Sequence, residues 1–379
     1  MAGLYIHIPF CKQACHYCDF HFSTQLSNKG NLIKALIKEI EIQKYYLKEE
    51  VIKTIYFGGG TPSILSEIEI NSLLNSVRKN FAIDADAEVT LEANPDDLSK
   101  ESLLNFKTAG INRLSIGIQS FDDGVLRFLN RAHNCTKATE SVELAREVGF
   151  GNISIDLIYS IPGQSLEDWL RNIRYALSLS PEHISAYSLT IEDKTVFGNW
   201  AKKGKLIAMD EDPSATQFEV LMETLDANGF EQYEISNFCK PGFVSRHNSS
   251  YWNQESYLGV GPSAHSFNGS LRQSNVRNNS FYIKSIESGI IPSEVEILTR
   301  ENKINETILI SIRTSQGLEL QQLKTRYDYD VPGLFKIKID QMVGQELITV
   351  MDNRLILTKK GKLVADKIAY DLFVEDKIN

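Results

Sequence analysis

Cys11, Cys15 and Cys18 stand within eight residues of one another, spaced C-x3-C-x2-C in the run Tyr5-Ile-His-Ile-Pro-Phe-Cys-Lys-Gln-Ala-Cys-His-Tyr-Cys-Asp-Phe20. The whole chain holds five cysteines, so three in one short loop are not a scatter of small apolar residues. Iron–sulfur clusters are held by thiolates, usually four. Three thiolates on a loop can each take one iron of a cubane [4Fe–4S] cluster and leave the last iron open to a small-molecule chelate. A structural zinc site wants four closed ligands, and His16 or His21 would have to complete it. An odd cysteine count and no signal-peptide pattern give a disulfide framework no support. The cluster reading is therefore favoured.

The 379 residues suffice for two domains, and a 42% hydrophobic content supports a sizeable core. No apolar run is long enough to predict a transmembrane helix, although peripheral membrane contact is compatible with the sequence. The net charge of −9 argues against nucleic acid as the main partner, because phosphate binding wants a basic field. Free thiolates suit a reducing compartment, and a cytoplasmic location is expected.

Short apolar runs alternate with amphipathic stretches over the first half. Strands are predicted at 4–8, 54–57, 87–92, 113–118, 153–158 and 183–189, with helices at 29–48, 67–80, 100–108, 136–148 and 166–179. This β-α alternation implies a parallel sheet with crossover helices. Six units by about residue 190 fit an α/β fold with a partial (β/α)6 barrel, in which chemistry gathers where the βα loops begin. A helix at 212–228 and a strand at 230–238 follow. Residues 241–275, rich in Gly, Ser, Asn and aromatics, read as a functional loop. Beyond 299 the order helix, helix, helix, hairpin (347–358, turn at Asp352-Asn353), helix is winged-helix-like, and the acidic charge favours a lid or docking role. The expected division is 1–240, barrel with cluster loop; 241–298, connecting region; and 299–379, C-terminal unit.

The unusual polar residues fall at one end of this sheet. Gly58-Gly59-Gly60-Thr61-Pro62 follows the second strand, and glycines there allow close backbone approach. Glu92, Gln119, Asp156 and Thr190 lie at or near strand ends, with Arg131 close by. A carboxylate can hold an amino group or bridge ribose hydroxyls, and an arginine can grip a carboxylate at two points. Tyr17 sets an aromatic ring beside the cysteines. His247-Asn-Ser-Ser-Tyr251-Trp252 joins an imidazole to two aromatics. Such a histidine is more often a core or solvated residue; the alternative is an axial ligand for haem iron. His265, after the Gly-Val-Gly-Pro turn, is similarly ambiguous. Cys135 and Cys239 read as ordinary residues.

Taken as a set, these motifs resemble those of the oxygen-independent coproporphyrinogen III oxidase family of radical SAM proteins, and within it the HemW-type haem chaperones. The likeness rests on the Tyr5–Phe20 run, Phe57-Gly-Gly-Gly-Thr-Pro62, Glu92-Ala-Asn-Pro95, Ser115-Ile-Gly-Ile-Gln-Ser-Phe121, Asn130-Arg131, Asp156-Leu-Ile-Tyr-Ser-Ile-Pro162, Tyr233-Glu-Ile-Ser-Asn-Phe238 and His247–Trp252. It implies Cys11, Cys15 and Cys18 as cluster ligands. It also implies S-adenosyl-L-methionine (SAM) contacts at Tyr5, Tyr17, Gly59, Gly60, Thr61, Glu92, Gln119, Arg131 and Asp156, with Thr190 and His265 nearby. The oxidases hold two SAM molecules, and Gln119, Arg131 and Asp156 match the second site. The His247–Trp252 stretch resembles the haem-binding motif of the HemW-type proteins, which implies His247 as a haem-binding residue, and two departures set this chain apart from the oxidases. Phe20 stands where the oxidases carry a further cysteine, and only ten residues precede Cys11. The expected function is haem binding and transfer to an acceptor protein, with a flavodoxin or ferredoxin as electron donor. The alternative is oxidative decarboxylation of coproporphyrinogen III. Catalytic residues stay unassigned, and so does whether the chain is an enzyme.

Overall fold

The structure is a computed structural model and describes residues 2–48 and 50–374. Met1, Glu49 and the end of the predicted C-terminal unit, 375–379, lie outside the described residues. Strand β1 (Ala2–Ile8) begins a β/α alternation: α1 (Lys29–Ile42), β2 (Ile52–Gly59), α2 (Glu67–Asn80), β3 (Ile83–Ala93), α3 (Lys100–Ala109), β4 (Arg113–Gln119), the short α4 (Asp123–Phe128), α5 (Cys135–Glu147), β5 (Ile153–Tyr159), α6 (Leu166–Ser178) and β6 (His183–Ser188). Neighbouring strands from β1 to β6 pair in parallel, in sequence order. The strand period of two divides each strand between environments. Leu4, Ile6 and Ile8 are buried in the main apolar core, while Tyr5 lines a large cavity. Polar caps fix where the helices start. Ser66 with Glu69 and Ser165 with Asp168 form capping boxes on α2 and α6, and each such cap stabilises its helix by about 1 kcal/mol.

The later elements depart further from expectation. After α7 (Val196–Lys202) and α8 (Glu211–Ala227), the predicted strand 230–238 is two short antiparallel strands, β7 (Glu231–Glu234) and β8 (Asn237–Cys239). Glu234 Oε1 accepts from Ser236 N and from the Asn237 side chain, which folds the chain back at once. Residues 241–298 are more than a connection. They supply α9 (Arg246–Trp252), β9 (Ser256–Val260), β10 (His265–Phe267), β11 (Leu271–Asn275), α10 (Asn279–Glu287) and β12 (Ser293–Ile297). β9 pairs parallel to β1, and β10, β11 and β12 follow antiparallel, so the sheet has twelve strands and stays open. These strands are only three to five residues long, which hid them from a period-two reading. Gly259 is required where β9 meets β10, since a Cβ there would collide with the His265 carbonyl.

The C-terminal unit has its own apolar core, built from Ile304, Ile308, Leu323, Leu355 and Ile368 among others. It comprises α11 (Arg300–Ile312), β13 (Leu318–Glu319), α12 (Leu320–Tyr327), α13 (Val331–Gly344), the hairpin β14 (Ile348–Met351) and β15 (Arg354–Leu357), α14 (Lys359–Lys362) and α15 (Ala365–Tyr370). The hairpin turns at Asp352-Asn353, both with positive φ, as a two-residue type I′ turn requires. Glu306, Leu309 and Ile310 of α11 line the same large cavity. The helix is held there by Arg272 on Glu306 at 2.8 Å and by Thr307 Oγ1 donating to Gln254 Oε1 at 3.3 Å. Among the described residues no helix is long and apolar enough to cross a membrane.

Candidate functional site: a cavity with a thiol wall and a cationic wall

The cysteine loop leaves β1 and closes on itself: Cys11 N donates to Ser23 O (3.1 Å) and Ser23 N to Pro9 O (2.9 Å). Its far end is tied across the barrel mouth. His16 N donates to Leu129 O (3.1 Å), Asn130 Nδ2 donates to Ala14 O (2.7 Å), and His16 Nδ1 lies 2.9 Å from Phe128 O. The His16 ring packs edge-on against Phe197 and Trp200 of α7. His21 Nε2 lies 2.7 Å from Asn279 Oδ1. Each imidazole is oriented by another element through one ring nitrogen. Among the described residues no three His, Cys, Asp or Glu side chains converge as a single-ion site needs. A cubane takes one thiolate per iron corner and requires no such convergence.

The three thiols line the cavity together with Thr61 and Arg131. Thr61 Oγ1 donates to Cys11 Sγ (3.3 Å) and Arg131 Nη1 to Cys15 Sγ (3.2 Å). Asn94 joins these two donors: its Nδ2 donates to Thr61 Oγ1 (3.2 Å) and its Oδ1 accepts from Arg131 Nη2 (2.6 Å). Burial pushes the Cys11 thiol up to about 12 and the Cys18 thiol up to about 11. A thiolate survives in so dry a place only beside compensating positive charge, and bound iron supplies it. Three cavity-facing thiols, two of them already accepting hydrogen bonds at sulfur, fit a cluster.

The glycine run serves both packing and access. Gly60 passes under the cysteine-loop neck, where a Cβ would sit 2.7 Å from Phe10 O and 2.8 Å from Ile8 O, and Gly59 has φ +108. Glu92 stands beside the run, accepting from Tyr56 OH (2.8 Å) and Gly59 N (3.2 Å). Burial outweighs these hydrogen bonds and lifts its carboxyl to about 7. Asp156 accepts from Ser115 Oγ (3.1 Å to each oxygen) and Ser154 Oγ (3.2 Å) and is likewise raised by burial. Gln119, with φ +68, turns out of β4. Tyr5, Tyr17, Gly59, Gly60, Thr61, Glu92, Gln119, Arg131, Asp156 and Thr190 all line one cavity. Thr190 does so from the loop two residues past the end of β6.

His247 does not join them. It is 1% exposed, and its ring lies 4.9 Å from that of Tyr56, centroid to centroid. Thr54 Oγ1 lies 2.8 Å from Nδ1 and Tyr251 OH 2.8 Å from Nε2. Burial holds its pKa down to about 3. Both nitrogens are engaged, so His247 has the setting of a core histidine, and to serve as a haem ligand it would first have to give up one of these partners. It ties α9 to β2, and buried Glu88 on β3 accepts from the Arg246 and His247 amides. His265 is exposed and lines the same cavity from the strands that continue the sheet beyond β1, with Tyr257, Phe267, Arg272 and Arg277. Sequence reasoning missed Asn94, though it sits in a quoted motif, and missed Tyr257, Arg272 and Arg277, whose only signal was aromatic and basic residues in a loop-like stretch.

Comparison with known proteins accords with this geometry. The radical SAM superfamily matches residues 5–176 and the HemN C-terminal domain matches 298–364. A solved structure of coproporphyrinogen III oxidase from Escherichia coli, a radical SAM enzyme, superposes with a TM-score of 0.84 over 98% of this chain and 90% of that one; at 22% identity the likeness is one of fold. Barrel, thiol loop and matching profile define a radical SAM protein, whose cofactors are a [4Fe–4S] cluster and SAM. The heme chaperone HemW of Bacillus subtilis is 38% identical over 97% of this chain and 98% of its own length. That of Lactococcus lactis is 34% identical over 99% and 98%. The chain belongs to the HemW family.

Proposed function

We propose that this protein binds haem in the large cavity and passes it to an acceptor protein, with cluster and SAM bound at the cavity's thiol wall. The observation that carries this is size together with lining. The cavity measures about 1240 Å³, above the ~300–1,000 Å³ of an ordinary small-molecule pocket. Its thiol wall alone has the groups that SAM needs. Its other wall offers Tyr251, Tyr257 and Phe267 to a flat apolar ligand, and a histidine, His265, with no hydrogen-bond partner among the described residues.

In this reading Cys11, Cys15 and Cys18 hold the cluster, and when bound it supplies the electron that cleaves the S–C bond of SAM. Glu92 and the Gly59–Gly60 backbone receive the amino-acid end of SAM, Tyr17 packs on its adenine, and Asp156 receives the ribose. Arg131 steadies Cys15. His265 would hold the haem iron through its imidazole; partial desolvation at the cavity wall and the nearby Arg277 and Arg272 lower its pKa, which favours the neutral form that ligation needs. The C-terminal unit, from about residue 299, closes the cavity through α11. A small redox protein delivers the electron.

The test is haem titration of the anaerobically reconstituted protein, followed in the Soret band. His265→Ala is expected to weaken binding and change the band while the thermal midpoint stays put. His247→Ala should lower the midpoint instead, by about 2–4 kcal/mol of stability for a buried ring and two hydrogen bonds, with the band unaltered in the folded fraction. SAM-dependent release of carbon dioxide from coproporphyrinogen III would favour the oxidase reading.

A further inference from the structure

Three arginines line the cavity, and two are already committed. Arg131 donates to Cys15 Sγ, Asn94 Oδ1 and Gly117 O. Arg272 is paired with Glu306 at 2.8 Å and Glu296 at 3.6 Å. The third, Arg277, has neither an ion-pair nor a hydrogen-bond partner among the described residues, and it is exposed into the cavity mouth.

Its backbone is nonetheless fixed. The preceding amide, Val276 N, donates to Pro292 O (2.9 Å), and the following residue, Asn278, caps α10 by accepting from Phe281 N (2.9 Å). A free guanidinium on an anchored backbone is prepared for an anion, because little backbone order remains to be lost on binding. The neighbouring Arg272 is already offset by Glu306 and Glu296, so Arg277 is the guanidinium at this rim whose charge no ion pair among the described residues neutralises. An arginine recognises a carboxylate in particular, through paired N–H donors. Haem presents two carboxylates on one edge of a flat apolar ring.

Resting on the haem reading above, we infer that Arg277 is the receptor for a peripheral carboxylate of the tetrapyrrole, fixing which edge faces the mouth while the ring lies against Tyr257 and Phe267. The site selects tetrapyrroles that keep their acid side chains. It also sets the direction of departure, since the charged edge stays nearest solvent.

The experiment compares haem with haem dimethyl ester, whose carboxylates are masked, on wild type, Arg277→Gln and Arg277→Lys. All three are reconstituted and checked for equal iron content and thermal midpoint. A charge-assisted hydrogen bond at an exposed site corresponds to about a tenfold change in affinity. Arg277→Gln is expected to weaken haem about tenfold and to leave the ester unchanged. Wild type should bind the ester as weakly as the variant binds haem, and Arg277→Lys should recover part of the loss. If Arg277→Gln affects haem and ester alike, or neither, the inference is overturned while haem binding stands. If wild type binds neither ligand, the function above falls and takes this inference with it.

Discussion

The two walls of the cavity are built on opposite principles. On the thiol wall the side chains around two of the cysteines and the glycine run are already partnered by protein. Cys11 and Cys15 accept from Thr61 and Arg131, Asn94 links those donors, and Glu92 and Asp156 each hold several hydrogen bonds. On the wall made by β9 to β11 and α11, aromatic faces stand beside a histidine and an arginine with free polar tips. A wall whose side chains are locked before the ligand arrives suits a resident cofactor, because geometry and potential depend on fixed outer partners. A wall with unspent donors on apolar faces suits a ligand that must also leave, since few groups have to be re-satisfied when it goes. In the proposed function, cluster and SAM take the first of these walls and haem the second.

The largest effect expected from breaking this contrast is on iron. Any one of Cys11→Ala, Cys15→Ala or Cys18→Ala is expected to abolish the cluster spectrum after anaerobic reconstitution, while Cys135→Ala and Cys239→Ala retain it. A full cluster in Cys15→Ala would show that the thiol wall has been misassigned.

Next comes Glu92. Its carboxyl sits at about 7 when folded, against an ordinary value of 4.5, chiefly because it is buried. The raised value means that the folded protein holds this proton more tightly, so its contribution to stability is greatest below 4.5 and is lost as pH rises through about 7. Ligand binding runs the other way, since only the carboxylate attracts the ammonium of SAM. SAM affinity, read from perturbation of the reduced cluster's spectrum, should therefore strengthen from pH 6 to 8. Glu92→Gln should flatten that profile and weaken binding about 10–100-fold at the upper end. A wild-type profile that stays flat counts against Glu92 as the ammonium partner.

Asn94 gives the smallest and sharpest test, because it touches no cofactor ligand directly and serves only to position two groups that do. Asn94→Ala should release Thr61 and Arg131 from their shared joint and speed iron loss to a chelator by about tenfold. The cluster's midpoint should become more negative, because hydrogen bonds to sulfur favour the reduced, more negatively charged state. Asn94→Ser, which keeps a polar group, should lie between the two. Unchanged midpoint and chelator rate would reduce the wall's order to simple packing.

Much of this protein is legible in its sequence wherever the signal is local. The cysteine spacing, the glycine turn, the capping serines and the β-α alternation each depend on residues near one another in the chain, and the six strands and five of the helices between residues 2 and 188 were expected, though α1 ends at Ile42 rather than 48 and the short α4 was not foreseen. Tertiary structure decided what depends on distant partners. Beside Tyr251 and Trp252 alone, His247 could be a ligand or a core residue; Thr54, 193 positions earlier, and Tyr56 are what enclose it. The strands β9 to β12 are too short to announce themselves, and they are ordered in the sheet because β9 pairs along the edge of β1. Arg277 looked like any surface arginine. It became distinctive only when the fold gave Arg131 and Arg272 their partners and left this third guanidinium unpaired at the cavity mouth, since whether a charge is satisfied is a property of its neighbours in space and is not written in its own segment.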